Sequence, residues 1–393
     1  MRTVDLRDRS GPPGERPLRI ALVTGTTRAR PHVVHTLALA EALGRLGQDV
    51  TVWGLGRGAG AGFYRHVHPA VGLQVVPVAE DPAQPAPERA ATAAAVLRDV
   101  FRAYDYDVVH AQDPVSAAAV GACVRTVHDL EPAAPGRPLG PAGAYAHVCL
   151  SSALAARLAK EHATAATVIP PGVDAARFVA AADEADPVAT AARRSWRSRL
   201  GRYVLAVGPV EERLRTLELV EAFAALGPEL EDVRLVLACP SPALDDPAYR
   251  TLVDARAAHL GVRPLVLAGV PEEEMPALVA AASAVAVACA EGATGPALEA
   301  LAAGVPVVLP DAPQVRETFG GAVALAASPA AMAWELGELV HAPDPAMRRA
   351  GRALAARHTW EAAAAAHVAL YRRFAAPAAL GVSRAERAGA GRP

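Results

Sequence analysis

Apolar and polar positions follow two rhythms along this chain, and the rhythms trade places repeatedly. Short apolar runs that suit buried strands begin at Leu18–Val23 and recur at Gln48–Trp53, Asp107–Asp113, Val124–Asp129 and His147–Ser152. Val33–Gly44 carries its apolar residues at helical spacing, and Ala94–Tyr104 does the same after a Pro/Ala-rich connection at 76–93. The alternation restarts at Tyr203–Gly208 and continues through Val233–Ala238 and Pro264–Pro271, with Thr216–Phe223 as its first helix. Strand–helix alternation of this kind predicts α/β architecture with parallel sheets, one unit over 18–180 and a second over 196–358. The low-hydrophobicity segment 181–195 reads as a linker, 359–376 as a closing helix, and 1–17 and 377–393 as loose tails.

One stretch carries the chemistry, Glu291–Asp311. The run Val285–Cys289 is strand-like, and Glu291-Gly292-Ala293-Thr294 turns after it. Gly295 and Pro296 suit a helix N-cap and first position, Gly304 the residue past the helix end, and Pro306–Leu309 resumes as strand. A βα junction of this kind is where open α/β sheets take ligands, and a helix N-terminus favours an anion such as a diphosphate. Glu291 and Glu299 straddle that position, where two carboxylates could hold the hydroxyls of a sugar and a ribose.

Glu-x7-Glu followed by Ala-Leu-Ala-Ala-Gly-Val-Pro-Val-Val resembles the donor-site signature of glycosyltransferase family 4, retaining enzymes of the GT-B fold. Pro170-Pro-Gly-Val-Asp-x-x-Arg-Phe178 is a second local match. The resemblance implies two Rossmann-like domains whose parallel sheets face a central cleft, and transfer from a nucleotide-diphosphate sugar without a metal or other cofactor. It assigns Glu291 to the sugar near its anomeric carbon, Glu299 to the ribose, and Arg213 with Arg215 to the diphosphate. It assigns the amides of Gly292, Thr294 and Gly295 to the sugar, Val270 to the nucleobase, and His128 to the donor sugar. His110, Asp113 and His32 fall on the acceptor side.

Three loops depart from the family pattern. A Gly-Gly pair after the first strand is replaced by Arg30-Pro31-His32, which loses the close backbone approach of glycine and leaves Arg28 or Arg30 to reach phosphate. In the second domain the relatives read roughly Arg-Lys-Gly where this chain has Arg213-Leu214-Arg215, so the lysine is gone and Arg215 is its candidate replacement. Relatives commonly read Glu-Gly-Phe-Gly-Leu where this chain has Glu291-Gly-Ala-Thr-Gly295. These changes keep two other classes open: a catalytically silent GT-B partner, and a GT-B enzyme of different chemistry such as a sugar epimerase or pseudo-glycosyltransferase.

Composition narrows the field further. The formal net charge is −2 with charges interspersed, so no basic face for nucleic acid is visible. Only one lysine, Lys160, stands among 39 basic residues, so arginine richness alone does not signal phosphate binding. The four cysteines have neither zinc nor disulfide spacing and read as buried thiols of a cytoplasmic protein. No apolar run is long enough to span a bilayer, which leaves only peripheral membrane contact open. Gly54-Leu-Gly-Arg-Gly-Ala59 matches a dinucleotide fingerprint in form, but it follows the second strand without a helix after it and reads as a flexible loop. His66 and His68 have no third ligand at a diagnostic spacing.

Overall fold

The computed structural model describes residues 16–57, 62–79, 85–128, 130, 143–226, 230–239, 246–290 and 294–375. The amino-terminal unit contains β1 (Arg19–Thr24), α1 (Pro31–Arg45), β2 (Asp49–Arg57), β3 (Gly72–Val78), α2 (Ala86–Val100), β4 (Val108–Ala111), α3 (Pro114–Val120), β5 (Cys123–Val127), β6 (Ala144–Cys149), α4 (Ser152–His162) and β7 (Thr167–Val168). Its strands pair in parallel in the order β3-β2-β1-β4-β5-β6-β7. Helices α5 (Ala175–Ala182) and α6 (Pro187–Leu200) lead into β8 (Arg202–Val207), α7 (Thr216–Ala224), β9 (Val233–Cys239), α8 (Pro247–His259), β10 (Leu265–Ala268), α9 (Met275–Ala281), β11 (Ala284–Ala286), α10 (Thr294–Ala303), β12 (Val307–Pro310), α11 (Pro313–Phe319), β13 (Ala324–Ala326), α12 (Pro329–His341) and α13 (Pro345–Arg357). This second sheet is also parallel, ordered β10-β9-β8-β11-β12-β13. Central strands such as β1 and β5 are buried on both faces, which is why they read as unbroken apolar runs.

Three expectations change. β2 runs on to Arg57 and absorbs Gly54-Leu55-Gly56, so this segment is strand and not a flexible loop. A Cβ at Gly54 would lie 2.8 Å from the Phe63 ring and 2.9 Å from the Thr27 methyl, so the glycine serves packing. The connection expected at 76–93 holds the end of β3 and the first half of α2. β3 is an edge strand, exposed at most of its positions, and its Pro77 is tolerated there. The expected linker 181–195 is largely α6, whose Trp196 and Leu200 anchor in the core of the second domain. Its low hydrophobicity comes from four arginines, of which Arg193 is buried and Arg194, Arg197 and Arg199 are exposed.

The chain then crosses back. Helix α14 (Trp360–Ala375) packs on α1 and β4 of the first domain, adding Leu370 and Tyr371 to that core. The crossing passes over Gly172: the Val173 amide donates to the His358 carbonyl at 2.8 Å, and Val173 bridges Thr359. A Cβ on Gly172 would sit 2.2 Å from the Trp360 nitrogen and 2.5 Å from the Thr359 carbonyl carbon, both backbone atoms that cannot rotate away. The Pro-Pro-Gly motif is therefore where the two domains are tied. Gly172→Ala is expected to cost about 3 kcal/mol, the upper range for overpacking, measured by urea unfolding. Unchanged stability would refute this reading of the motif.

Candidate active site

In each sheet the strand order reverses at a switch point, between β1 and β4 in the first and between β8 and β11 in the second. The loops leaving the carboxyl ends of these strands meet across one cleft. Arg30, the N-cap residue of α1, donates from its guanidinium to one oxygen of Glu211 in the opposite domain. Arg213 donates through Nε to the other Glu211 oxygen at 2.5 Å. Glu211 is buried, and two cations face its carboxyl group there. Two guanidiniums from opposite domains thus converge on one anion, with the forked donors that suit carboxylate or phosphate alike.

On the amino-terminal wall, Asp113 accepts from the Gly25 amide at 2.6 Å and from the Ser116 amide at 2.9 Å, completing a capping box on α3. It ties the loop after β1 to the loop after β4, and the His32 Nε2 stands 3.9 Å from it. Burial lowers the pKa of His32 against the opposing pull of Asp113, and the charges of Arg30 and Arg213 lower it further. His128 lies behind, its Nε2 3.3 Å from the Gln112 oxygen and its ring 6.2 Å from His32 and 5.0 Å from His35. Desolvation holds His128 well below the usual imidazole range, hence neutral.

On the carboxyl-terminal wall, α10 begins at Thr294, one residue before the expected N-cap Gly295. A Cβ at Gly295 would meet open space, so no close approach demands glycine there. The helix ends in a Schellman pattern: Gly304, at φ +72°, donates to the Leu301 carbonyl and Val305 to that of Ala300. Glu299 stands mid-helix, half-buried, and desolvation pushes its carboxyl up to about 7, with Arg177 opposing and Glu272 and Asp174 adding to the rise. Val270, beyond β10, is partly buried against the core of this domain.

A family profile described as Glycosyltransferase Family 4 matches residues 32–177, and one described as Glycosyl transferases group 1 matches residues 201–342. Each falls on one of the two sheets. The chain belongs to glycosyltransferase family 4. A D-inositol 3-phosphate glycosyltransferase of Salinispora arenicola (strain CNS-205) is 35% identical over 209 residues, 50% of this chain and 46% of that protein. The enzyme of the same name from Salinispora tropica (strain ATCC BAA-916 / DSM 44818 / JCM 13857 / NBRC 105044 / CNB-440) is 34% identical over 196 residues, 47% of this chain and 40% of its own. The match thus spans less than half the length of these curated relatives. Sucrose-phosphate synthase from Thermosynechococcus elongatus superposes with a TM-score of 0.73 at 18% identity, covering 90% of this chain and 98% of its own. A trehalose-phosphate synthase (UDP-forming) from Burkholderia vietnamiensis gives 0.71 at 15% identity, covering 93% and 99%. The fold is GT-B, two Rossmann-like domains around a cleft.

Among the residues expected from the family-4 pattern, Glu291 and Gly292 lie outside the described residues. Arg213, Glu299, His32, Asp113 and His128 lie in the loops and helices that border the cleft. One expectation is corrected. His110 is fully buried, its Nδ1 2.6 Å from the Tyr371 hydroxyl and its Nε2 2.7 Å from the Thr126 hydroxyl, so neither nitrogen is free for an acceptor. It anchors the closing helix α14 instead. Arg215, expected to stand in for the missing lysine, pairs with Glu218 of α7 at 3.6 Å with its side chain 62% exposed. Its backbone explains the family glycine: φ is +54°, the left-handed region, which this chain holds with an arginine. Leu214, in the lysine position, instead packs 3.0 Å from where a Cβ of Gly208 would be. Glu211 escaped the motif reading because nothing in a Glu-Glu-Arg run announces which carboxylate is buried.

Glu299 yields a pH-dependent expectation. Its folded pKa lies above the ordinary 4.5, so between about pH 4.5 and 7 the folded state holds more protons and this group's stabilising contribution falls as pH rises. A diol donating two hydrogen bonds favours the ionised carboxylate, so ribose binding near neutral pH should expel a proton. Nucleoside diphosphate affinity should then strengthen as pH climbs through 7, and flatten in Glu299→Gln. Calorimetry in buffers of different ionisation heat checks this; a wild-type affinity independent of pH there would take Glu299 away from the ribose.

Proposed function

We propose that this chain transfers a glycosyl unit from a nucleotide-diphosphate sugar to a small-molecule or lipid acceptor, with retention of configuration and without a metal ion. The observation that carries the reading is the meeting of Arg30 and Arg213 from opposite domains on one buried carboxylate, at both topological switch points. Glu211 occupies the place where a diphosphate would be gripped, and the two guanidiniums would supply the charge that a metal supplies elsewhere. Glu299 would hold the ribose and Val270 the nucleobase side. Glu291, Gly292, Thr294 and Gly295 would face the donor sugar, and His128 would line its pocket as a neutral hydrogen-bonding group. His32 would face the acceptor, held in place by Asp113. No side chain is assigned as a separate general base; the leaving phosphate would take the acceptor proton.

The curated relatives named for D-inositol 3-phosphate make a phosphorylated polyol the first acceptor to try. Four buried cysteines suit a reducing compartment such as the cytoplasm. Among the described residues, no helix is long and apolar enough to cross a membrane. A second reading, a catalytically silent GT-B partner, is favoured by two observations: both guanidiniums are already engaged by Glu211, and leucine holds the lysine position. A thermal-shift panel of nucleotide sugars separates the two. A ligand at 100 times its Kd adds about 2.7 kcal/mol of stability. A shift with one base and sugar supports the transferase; no shift with any member supports the silent partner.

A further inference from the structure

At the opposite end of the second sheet from the cleft, an open cavity of about 740 Å³ is walled by six arginines: Arg193, Arg194, Arg197, Arg202, Arg348 and Arg352. It lies under the amino ends of the strands, where Arg202 opens β8 and Pro306 precedes β12. Four helices point their carboxyl ends at this place, and four of the arginines are spent on them. Arg193 donates to the Ala181 carbonyl of α5 and, at 2.9 Å, to the Thr190 hydroxyl. Arg197 donates to Ala281 of α9 at 3.1 Å, Arg202 to Val340 of α12 at 3.2 Å, and Arg352 to Ala303 of α10 at 3.5 Å. The Arg352 guanidinium lies so close over Gly304 that a Cβ there would come within 2.5 Å of it.

Capping does not exhaust the charge. Each helix end is worth roughly half a negative charge. Among the described residues Glu184 is the only acid lining the cavity, and Asp232 pairs with Arg202 at 3.0 Å from outside it. Six guanidiniums against four half-charges, two carboxylates and Asp344 beside the Arg348 end leave a net positive surplus, which suits an anion such as a phosphate. The surplus has an address. Among the described residues, the side chains of Arg194 on α6 and Arg348 on α13 have no hydrogen-bond or ion-pair partner, and both line the cavity. A cavity of this volume admits a small metabolite.

We propose that this cavity is a second anion site, separate from the cleft, that takes a phosphate-bearing ligand on Arg194 and Arg348 with the four capping arginines as its charged wall. The concave shape favours a soluble phosphate compound over a lipid headgroup. The site does not depend on the glycosyl-transfer reading.

Inorganic pyrophosphate, titrated by calorimetry, tests the proposal. Because the cleft also presents arginines, wild type is compared with Arg194→Gln/Arg348→Gln and with Arg213→Gln, each checked for folding by circular dichroism. Binding should weaken tenfold or more in the double variant and persist in Arg213→Gln, since each lost charge-assisted contact is worth at least a factor of ten. In a parallel arm, vesicles of phosphatidylcholine doped with phosphatidic acid replace pyrophosphate. Sedimentation of wild type but not of the double variant with them supports the site and makes a lipid the source of the phosphate. Pyrophosphate binding that is abolished by Arg213→Gln and untouched by the double variant, or absent from wild type with no vesicle binding, overturns the proposal and leaves these arginines as helix caps only.

Discussion

Arg213→Ala is expected to lower turnover about 10²–10³-fold, the range for removing one donor from a transition-state anion site. Stability should change by about 1 kcal/mol or less, because the arginine side chain is 44% exposed and Glu211 keeps Arg30. The loss should fall mainly on kcat, since charge on the leaving diphosphate grows as the glycosidic bond breaks. Arg213→Lys should recover part of the rate: it restores the cation but not the forked donor geometry. Initial rates on a donor identified by thermal shift, with unfolding curves on the same preparations, give both quantities. Wild-type turnover in a folded Arg213→Ala would remove the guanidinium pair from the chemistry and return the Arg30–Glu211–Arg213 contact to a purely structural tie.

Acid should unfold this protein early. His35 and His367 are buried, and the Nε2 of each has no hydrogen-bond partner among the described residues. Desolvation pushes His35 down to about 3, with the charges of His367 and His32 adding to it, and His367 down to about 4, against a raising contact from the Ala363 carbonyl. The unfolded chain would protonate both near the ordinary 6.5. A folded pKa below the unfolded one means full stability above that value, lost as pH falls through it. At pH 5 each histidine should have cost about 2 kcal/mol, roughly 4 kcal/mol together out of a typical total of 5–15. His110 and His128, also held low by burial, add to the same slope. Urea unfolding at intervals between pH 7 and pH 5 checks the prediction, with His367→Gln flattening the slope. A stability curve level across that interval would contradict it.

The central strands were legible because burial on both faces writes an unbroken apolar run, and β1, β5 and β8 are found where those runs lie. β3 and α6 were not, because an exposed edge strand and an arginine-faced helix carry too few apolar positions to declare themselves. At the candidate site, motif spacing does not carry depth. His110 sits at a strand end as expected, yet Tyr371, 261 residues further on, closes over it. Arg215 looked like a displaced phosphate ligand, and its left-handed backbone and its partner Glu218 only become visible in three dimensions. The Glu211 contact joins residues 181 apart in sequence from different domains, beyond any local pattern.

The central claim, glycosyl transfer from a nucleotide sugar on a metal-free arginine site, has one direct test. The protein is incubated with the donor that stabilises it, a phosphorylated polyol acceptor and excess EDTA, and the anomeric proton of the product is followed by NMR. The account predicts a product with the donor's own anomeric configuration, formed at an unchanged rate with EDTA present. An inverted product, or a reaction that stops in EDTA and resumes with Mg²⁺ or Mn²⁺, would contradict it.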